Sequence, residues 1–322
     1  MRTGVKRMPD TAIHLYFGQD VRSSLAPEVR KVLEDVPYQF ALVGPDPWFT
    51  YKPWRGKRQG RGRVMHTTTP GLFLTTLAEE ARKSDCPETM FSYLAGFLCH
   101  YALDASAHPY IIRQTTTECR KKGAHRALEH SLDALELERQ KVWGEKHPLT
   151  EHAFQELRLP EKMEASLNRA YERVYGWQNA YRALNMSHWI FRFLYRFMEK
   201  PGGLLAWLAR LTGSELIQSL AYSESYFQGT DVENREGRPW RHSHDESIVS
   251  RESFPELRER ARLRAVKLIE ACFAYVFEGR LSLEELGKII GDDSYLSGLP
   301  SKDPRNMNVA SLLPSEKERE EA

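Results

Sequence analysis

Apolar positions along this chain recur mostly at spacings of three and four, and runs that alternate at every second position are few, a pattern of helices rather than strands. The periodicity predicts helices over residues 11–21, 27–34, 71–83, 87–107, 124–142, 151–156, 162–184, 187–199, 204–211, 214–222, 254–277 and 283–290. The expected fold class is therefore all-α, a multi-helix bundle with its chemistry in a cleft between helices. Two stretches interrupt the pattern: residues 51–63, rich in Gly and Arg, and residues 228–253, polar and carrying His242 and His244. Both read as surface loops. The tail from Ser301 ends in Glu-Lys-Glu-Arg-Glu-Glu-Ala and is expected to fray or be disordered, leaving residues 1–300 as one domain. The most aromatic segment runs from Trp189 to Met198, with Arg192, Arg196 and Lys200 along one stripe. Core packing with the arginines in solvent is the expected use, and a helix lying on a membrane surface is the alternative.

Composition changes this picture little. With 41% hydrophobic and 28% charged residues the chain is of ordinary globular type. A net charge of +2 is too small to argue for nucleic acid or anionic membrane as the partner of the whole surface. The basic N-terminal residues have no apolar run behind them, and no stretch approaches the length of a membrane span. Cytoplasmic residence is expected, with peripheral membrane contact as its extension. Cys86, Cys99, Cys119 and Cys272 are scattered without CxxC spacing and read as reduced, buried packing residues.

The chemistry lies in His100 and Asp104, then His108, then His125 and Glu129. A His and a carboxylate four residues apart on a helix share one face, so each pair can grip a metal ion. The 87–107 helix is apolar on more than one face, and a buried Asp104 needs a partner against desolvation. One isolated pair of this kind would be read as a hydrogen-bonded core pair. Its recurrence on the next helix, where antiparallel packing presents both pairs to one cleft, points to metal. His14, Asp46 in the turn Gly44-Pro45-Asp46-Pro47, and His66 extend the set to five His, two Asp and one Glu. Imidazole and carboxylate without thiolate suit hydrolytic Zn²⁺, and eight donors exceed one tetrahedral ion and fit two or three. His130 adjoins Glu129 and projects about 100° away from it, so it belongs behind the donors or at the surface. His147, His152 and His188 have no companions at ligand spacing and read as ordinary surface or core residues.

No Ser-His-Asp set and no glycine-rich phosphate loop is visible, which disfavours covalent catalysis and nucleotide-triphosphate chemistry. Between Asp46 and His66 lie Lys52, Arg55, Lys57, Arg58, Arg61 and Arg63, interleaved with Trp54. Flanked by metal donors, these cations are candidates to hold a substrate phosphate or an anionic lipid surface. A basic loop with a Trp could equally stack single-stranded nucleic acid, or be solvated with no partner.

The ordered series His14, Asp46 in Leu-Val-Gly-Pro-Asp-Pro-Trp-Phe, His66, the run Tyr-Leu-Ala-Gly-Phe-Leu-Cys-His-Tyr-Ala-Leu-Asp ending at Asp104, His108, and the His125 to Glu129 pair resembles the zinc-dependent phospholipase C family. The resemblance is carried by roughly the first 140 residues. It implies an all-α architecture related to that of the single-strand-specific zinc nucleases, and phosphodiester cleavage by a trinuclear zinc cluster. It further implies that Asp46, His66, His100 and Asp104 surround one zinc, that His108, His125 and Glu129 hold a second, and that His14 with a bridging Asp104 holds part of a third. Asp46 would double as general base. Secreted members complete the third site with the amino group and carbonyl of a mature N-terminal residue, usually Trp. This chain has thirteen residues ahead of His14 and no Trp among them, so that completion is not expected here. The expected function is a zinc-dependent phosphodiester hydrolase of the phospholipase C type, acting on a phospholipid headgroup ester or a small phosphodiester. A zinc nuclease of the single-strand-specific type is the alternative enzyme, nucleic acid being the less expected partner. A non-catalytic protein with structural zinc is the alternative of another class.

Overall fold

In the computed structural model the described residues are 11–51, 60–118, 124–199, 207 and 229–307. The architecture is all-α. In chain order the helices named here are α1 (Thr11–Ser24), α2 (Pro27–Lys31), α3 (Asp35–Ala41), α4 (Arg61–Thr67), α5 (Pro70–Lys83), α6 (Pro87–Arg113), α7 (Ala124–Arg139), α8 (Glu164–Tyr175), α9 (Ala180–Met198), α10 (Phe254–Val276) and α11 (Leu283–Ile290). A 3-10 turn, Asp46–Thr50, lies between α3 and α4.

The most apolar stretch becomes the central helix. Every residue of α6 from Thr89 to Arg113 is buried, because α1, α3, α5 and α10 pack around it. Pro87 opens it at a position whose N–H would lack a helical partner anyway. Pro109, inside the helix, offers no N–H to the carbonyl of Ala105. Gly298, at φ +64°, lies against that carbonyl so closely that an added Cβ would sit 2.3 Å from its oxygen. The turn carrying Tyr295 is thereby seated on α6 beside His108. Capping boxes at Ser253 with Glu256 and Ser282 with Glu285 start α10 and α11. Helix α10 packs on both α6 and α1, so a late element closes over the first.

Several expectations change. The helix expected over 162–184 breaks at Gly176, which caps α8 at φ +69°, and α9 starts after Asn179, also left-handed. Residues 151–156 form no helix: a turn over 151–153 gives way to irregular chain. In the expected loop 51–63, α4 already begins at Arg61, while residues 52–59 lie outside the described residues. The expected surface loop 228–253 holds an antiparallel hairpin, β1 (Trp240–Arg241) with β2 (Val249–Ser250). Trp240, His242, Ser243 and His244 are buried there, with the Trp240 ring edge-on to Tyr110 at 5.4 Å. The tail does not begin at Ser301, since a 3-10 turn, Pro304–Met307, follows it and Arg305 pairs with Asp245 at 2.7 Å and Asp303 at 2.6 Å. The remaining tail, 308–322, and the helices expected over 204–211 and 214–222, Trp207 apart, lie outside the described residues. The aromatic segment is only half in the core: Phe191, Tyr195 and Met198 are buried, whereas Trp189, Phe193 and Phe197 are exposed. Cys86, Cys99 and Cys272 are free and buried; Cys119 lies outside the described residues. No helix among the described residues is long and apolar enough to cross a membrane.

Candidate metal centre

Three successive turns of α6 put His100, Asp104 and His108 on one face. Asp104 is the hub. Its Oδ2 lies 3.1 Å from His100 Nε2, 3.7 Å from His66 Nε2 and 3.6 Å from His108 Nδ1, and its Oδ1 lies 3.1 Å from His14 Nε2. His14 arrives on α1, whose first turn is held from a distance: the N–H groups of Ala12 and Ile13 donate to the Asp133 carboxylate of α7 at 3.1 and 2.9 Å. Asp46 opens the 3-10 turn. The chain reaches it through Gly44, at φ +47°, where an added Cβ would sit 2.4 Å from the His100 ring. Asp46 Oδ1 lies 3.3 Å from His66 Nε2, and its Oδ2 3.8 Å from His100 Nε2. On α7, His125 Nε2 is 2.8 Å from Glu129 Oε1, which His108 Nε2 approaches to 3.5 Å.

All eight candidate donors therefore converge. They form three groups whose ligand atoms lie within 4.8 Å of one another: His14, His100 and Asp104; Asp46, His66 and His100; and His108, His125 and Glu129. Asp104 falls in the group of His14, although it also reaches His66.

The hydrogen bonds behind the rings test whether a cation fits. Nδ1 of His66 faces the carbonyl oxygen of Gly62 at 2.7 Å, that of His100 faces Leu42 at 3.3 Å, and that of His108 faces Tyr295 at 2.9 Å. A carbonyl only accepts, so each Nδ1 carries the proton and each Nε2 turns a lone pair inward. There the lone pairs meet carboxylate oxygens, which are also acceptors. His100 Nε2, Asp104 Oδ2, Asp46 Oδ1 and Glu129 Oε2 are buried with no aligned hydrogen-bond partner, although His100 Nε2 and Asp104 Oδ2 are 3.1 Å apart. Opposed acceptors need a cation between them, either an extra proton or a metal. The protein groups alone already feel this pull. Burial opposes ionisation of Asp104, yet His100 and His108 hold its carboxyl well below the usual range. Burial likewise opposes ionisation of Glu129, but His125 and His108 bring it down to about 2. Burial disfavours the charged form of His108, and Asp104 with Glu129 nevertheless raises it to about 9. A nitrogen and oxygen donor set without sulfur, with its imidazoles oriented from behind, fits Zn²⁺.

Seven of the eight donors are buried, and His125 alone is partly exposed. A small cavity lies between His14, Asp104, His108 and Glu129, walled by Ile13, Leu103 and Phe254, with room for about one water-sized sphere. Two contributors have no motif in the sequence. Asp133 caps α1 from α7, and Tyr295 supplies a carbonyl to His108 while its ring packs against His66 at 5.2 Å and Tyr101 at 5.3 Å. His130 is buried but stands outside the three groups, as do His242, whose Nε2 lies 2.9 Å from the Ser297 carbonyl oxygen, and His244.

Of the basic candidates, Lys52, Arg55, Lys57 and Arg58 lie outside the described residues. Arg63 is exposed on α4. Arg61 does not reach for solvent: its guanidinium sits 4.9 Å from the Trp48 ring, 4.2 Å from Tyr51 and 4.5 Å from Trp177. It thereby ties α4, which carries His66, to the turn that carries Asp46.

Among protein-family models, one described as zinc dependent phospholipase C matches residues 13–196, more than half of the chain and a span within which all eight donors fall. No curated protein and no solved structure matches.

Proposed function

The chain belongs to the zinc dependent phospholipase C family, and on that premise we propose that it is a zinc-dependent hydrolase that cleaves a phospholipid headgroup ester or a smaller phosphodiester. The observation that carries this reading is the set of inward lone pairs opposed to orphaned carboxylate oxygens around Asp104. The three donor groups, each able to hold a metal ion, support a reading of two or three Zn²⁺ ions. Zinc, when bound, supplies the positive charge that favours build-up of negative charge on phosphorus oxygens and makes water a better nucleophile at neutral pH.

The chain's own residues do the rest. The carbonyls of Gly62, Leu42 and Tyr295 hold three imidazoles in one tautomer. Asp46, whose buried Oδ1 faces His66 Nε2 at 3.3 Å without an aligned hydrogen bond, takes the proton of the attacking water as its oxygen bonds to phosphorus. The bond from phosphorus to the leaving alcohol oxygen breaks, and the proton passes to that oxygen. The products are an alcohol and a phosphomonoester.

The test compares wild type with Asp104→Asn for zinc content and for hydrolysis of bis-p-nitrophenyl phosphate. Expected are two or three zincs with turnover in wild type, and in the variant fewer zincs with turnover lower by about a hundredfold or more. A wild type that retains no zinc would remove the metal centre. Tightly held zinc without turnover of any phosphodiester would leave a structural metal and no hydrolase.

A further inference from the structure

Helix α9 is apolar on two sides. Its inner side buries Leu184, Phe191, Tyr195 and Met198. On the outer side Met186, Trp189, Phe193 and Phe197 follow one another at helical spacing, and their exposures are 54%, 53%, 57% and 53%. The rings of Trp189 and Phe193 stack on each other at 5.9 Å in the open. A contiguous stripe of this kind on a surface marks an interaction site.

Its chemistry selects the partner. Over Ala180–Met198 the helix carries three arginines and no acidic residue. Arg182 and Arg196 are exposed and pair loosely with Glu164 at 3.5 Å and Glu151 at 3.6 Å. Exposed pairs of this kind are weak, so exchanging the carboxylate for a lipid phosphate carries little penalty. Trp and Phe above basic residues suit the depth between lipid headgroups and acyl chains. A second copy is a poor occupant, since two stripes face to face would set arginine against arginine. The stripe is also fixed to the metal centre, for the Ser187 carbonyl of α9 accepts from Thr50 Oγ1 at 2.7 Å in the turn that Asp46 begins.

We propose that the outer face of α9, Met186 to Phe197 with Arg182 and Arg196 at its margin, docks the protein on a phospholipid surface. This docking deepens, and for its purpose rests on, the lipid reading of the metal centre.

The experiment sediments the full chain with phosphatidylcholine vesicles, with and without phosphatidylserine. Wild type is compared with the triple variant Trp189→Ser, Phe193→Ser, Phe197→Ser and with Phe193→Glu alone. Circular dichroism establishes that each is folded, and the single variant serves if the triple one is not. Expected are binding by wild type, stronger with phosphatidylserine, and a loss on the order of tenfold or more in the triple variant. Hydrolysis of soluble bis-p-nitrophenyl phosphate should not change. Equal binding by wild type and folded variants would overturn the proposal. A wild type that ignores vesicles would also overturn it: a dimer by sedimentation velocity that the variants dissolve would assign the stripe to a second copy, and a monomer would assign it to the protein's own chain. Vesicle binding without turnover would keep the docking face and remove the hydrolase; turnover without vesicle binding would do the reverse.

Discussion

Asp104 and His188 show opposite ways of burying a polar group. Asp104 is surrounded by imidazoles and shared among them, whereas His188 stacks on Phe40 at 4.0 Å with Phe154 edge-on at 5.2 Å, and neither ring nitrogen has a hydrogen-bond partner. Burial, with Arg192 nearby, pushes the His188 pKa down to about 3. Unfolded, it titrates near 6.5, so between those values the unfolded chain binds a proton that the folded chain refuses. Its share of stability is whole above about pH 6.5 and drains away as pH falls toward 3. His188→Leu should therefore gain on wild type as pH is lowered from about 7 to 4, by up to about 3 kcal/mol. Urea unfolding of both proteins in chelator, at the two pH values, measures the difference. An identical gain at both values would show that His188 does not titrate this way. Part of the candidate metal centre is legible in the chain because His100 with Asp104, and His125 with Glu129, repeat a spacing that one helical turn explains. Asp46, His14 and His66 have no such partner in sequence; they extend the set by residue type alone, and only the resemblance distributes them among particular ions. Nothing marks Tyr295, because the group that reaches His108 is a backbone carbonyl, which every residue has.

Among the elements, α6 was foreseen almost whole, and its extension past Ala107 follows from burial on all sides. The break between α8 and α9 was not, because one glycine inside an apolar pattern says little until the left-handed turn is seen. Helix α4 was missed because Gly60-Arg61-Gly62-Arg63 reads as a loop, while in the fold Arg61 is enclosed by three rings. Periodicity showed that α9 is rich in aromatics, but it does not say which apolar face meets the core. The seating of the Tyr295 turn on α6 offers a direct test. Gly298→Ala would place a Cβ against the Ala105 carbonyl at a left-handed φ, costing about 1–3 kcal/mol and shifting the carbonyl that orients His108. Zinc should then be lost at lower chelator concentration. Gly279→Ala, also at positive φ but with nothing closer than 3.8 Å, should lower stability and leave zinc retention as in wild type. Equal retention in both variants would separate the turn from the metal centre.

The whole molecule joins segments far apart in the chain. Donors come from α1, α4, α6, α7 and the 3-10 turn, so the carboxylates and imidazoles that these bring together are dispersed when the chain unfolds. An ion that binds only the assembled set stabilises it by mass action. Removing zinc should lower the thermal midpoint by several degrees, on the order of 5–10 °C, and adding it back should restore the midpoint. Scanning calorimetry with chelator, then with excess zinc, reads this directly, and Asp104→Asn should respond less. A midpoint that ignores zinc would mean that the ion does not bind the folded state preferentially.

The brace on His108 also sets an order of events during synthesis. All eight donors have left the ribosome once Glu129 has, yet the carbonyl that orients His108 belongs to Tyr295, and α10, which covers the same side, comes only shortly before it. A nascent chain that has reached Glu129 holds all eight donors and the carbonyls behind His66 and His100, but not yet the one behind His108. His108 is therefore aimed at the other donors only once the segment that carries Tyr295 has been made and has folded back onto α6.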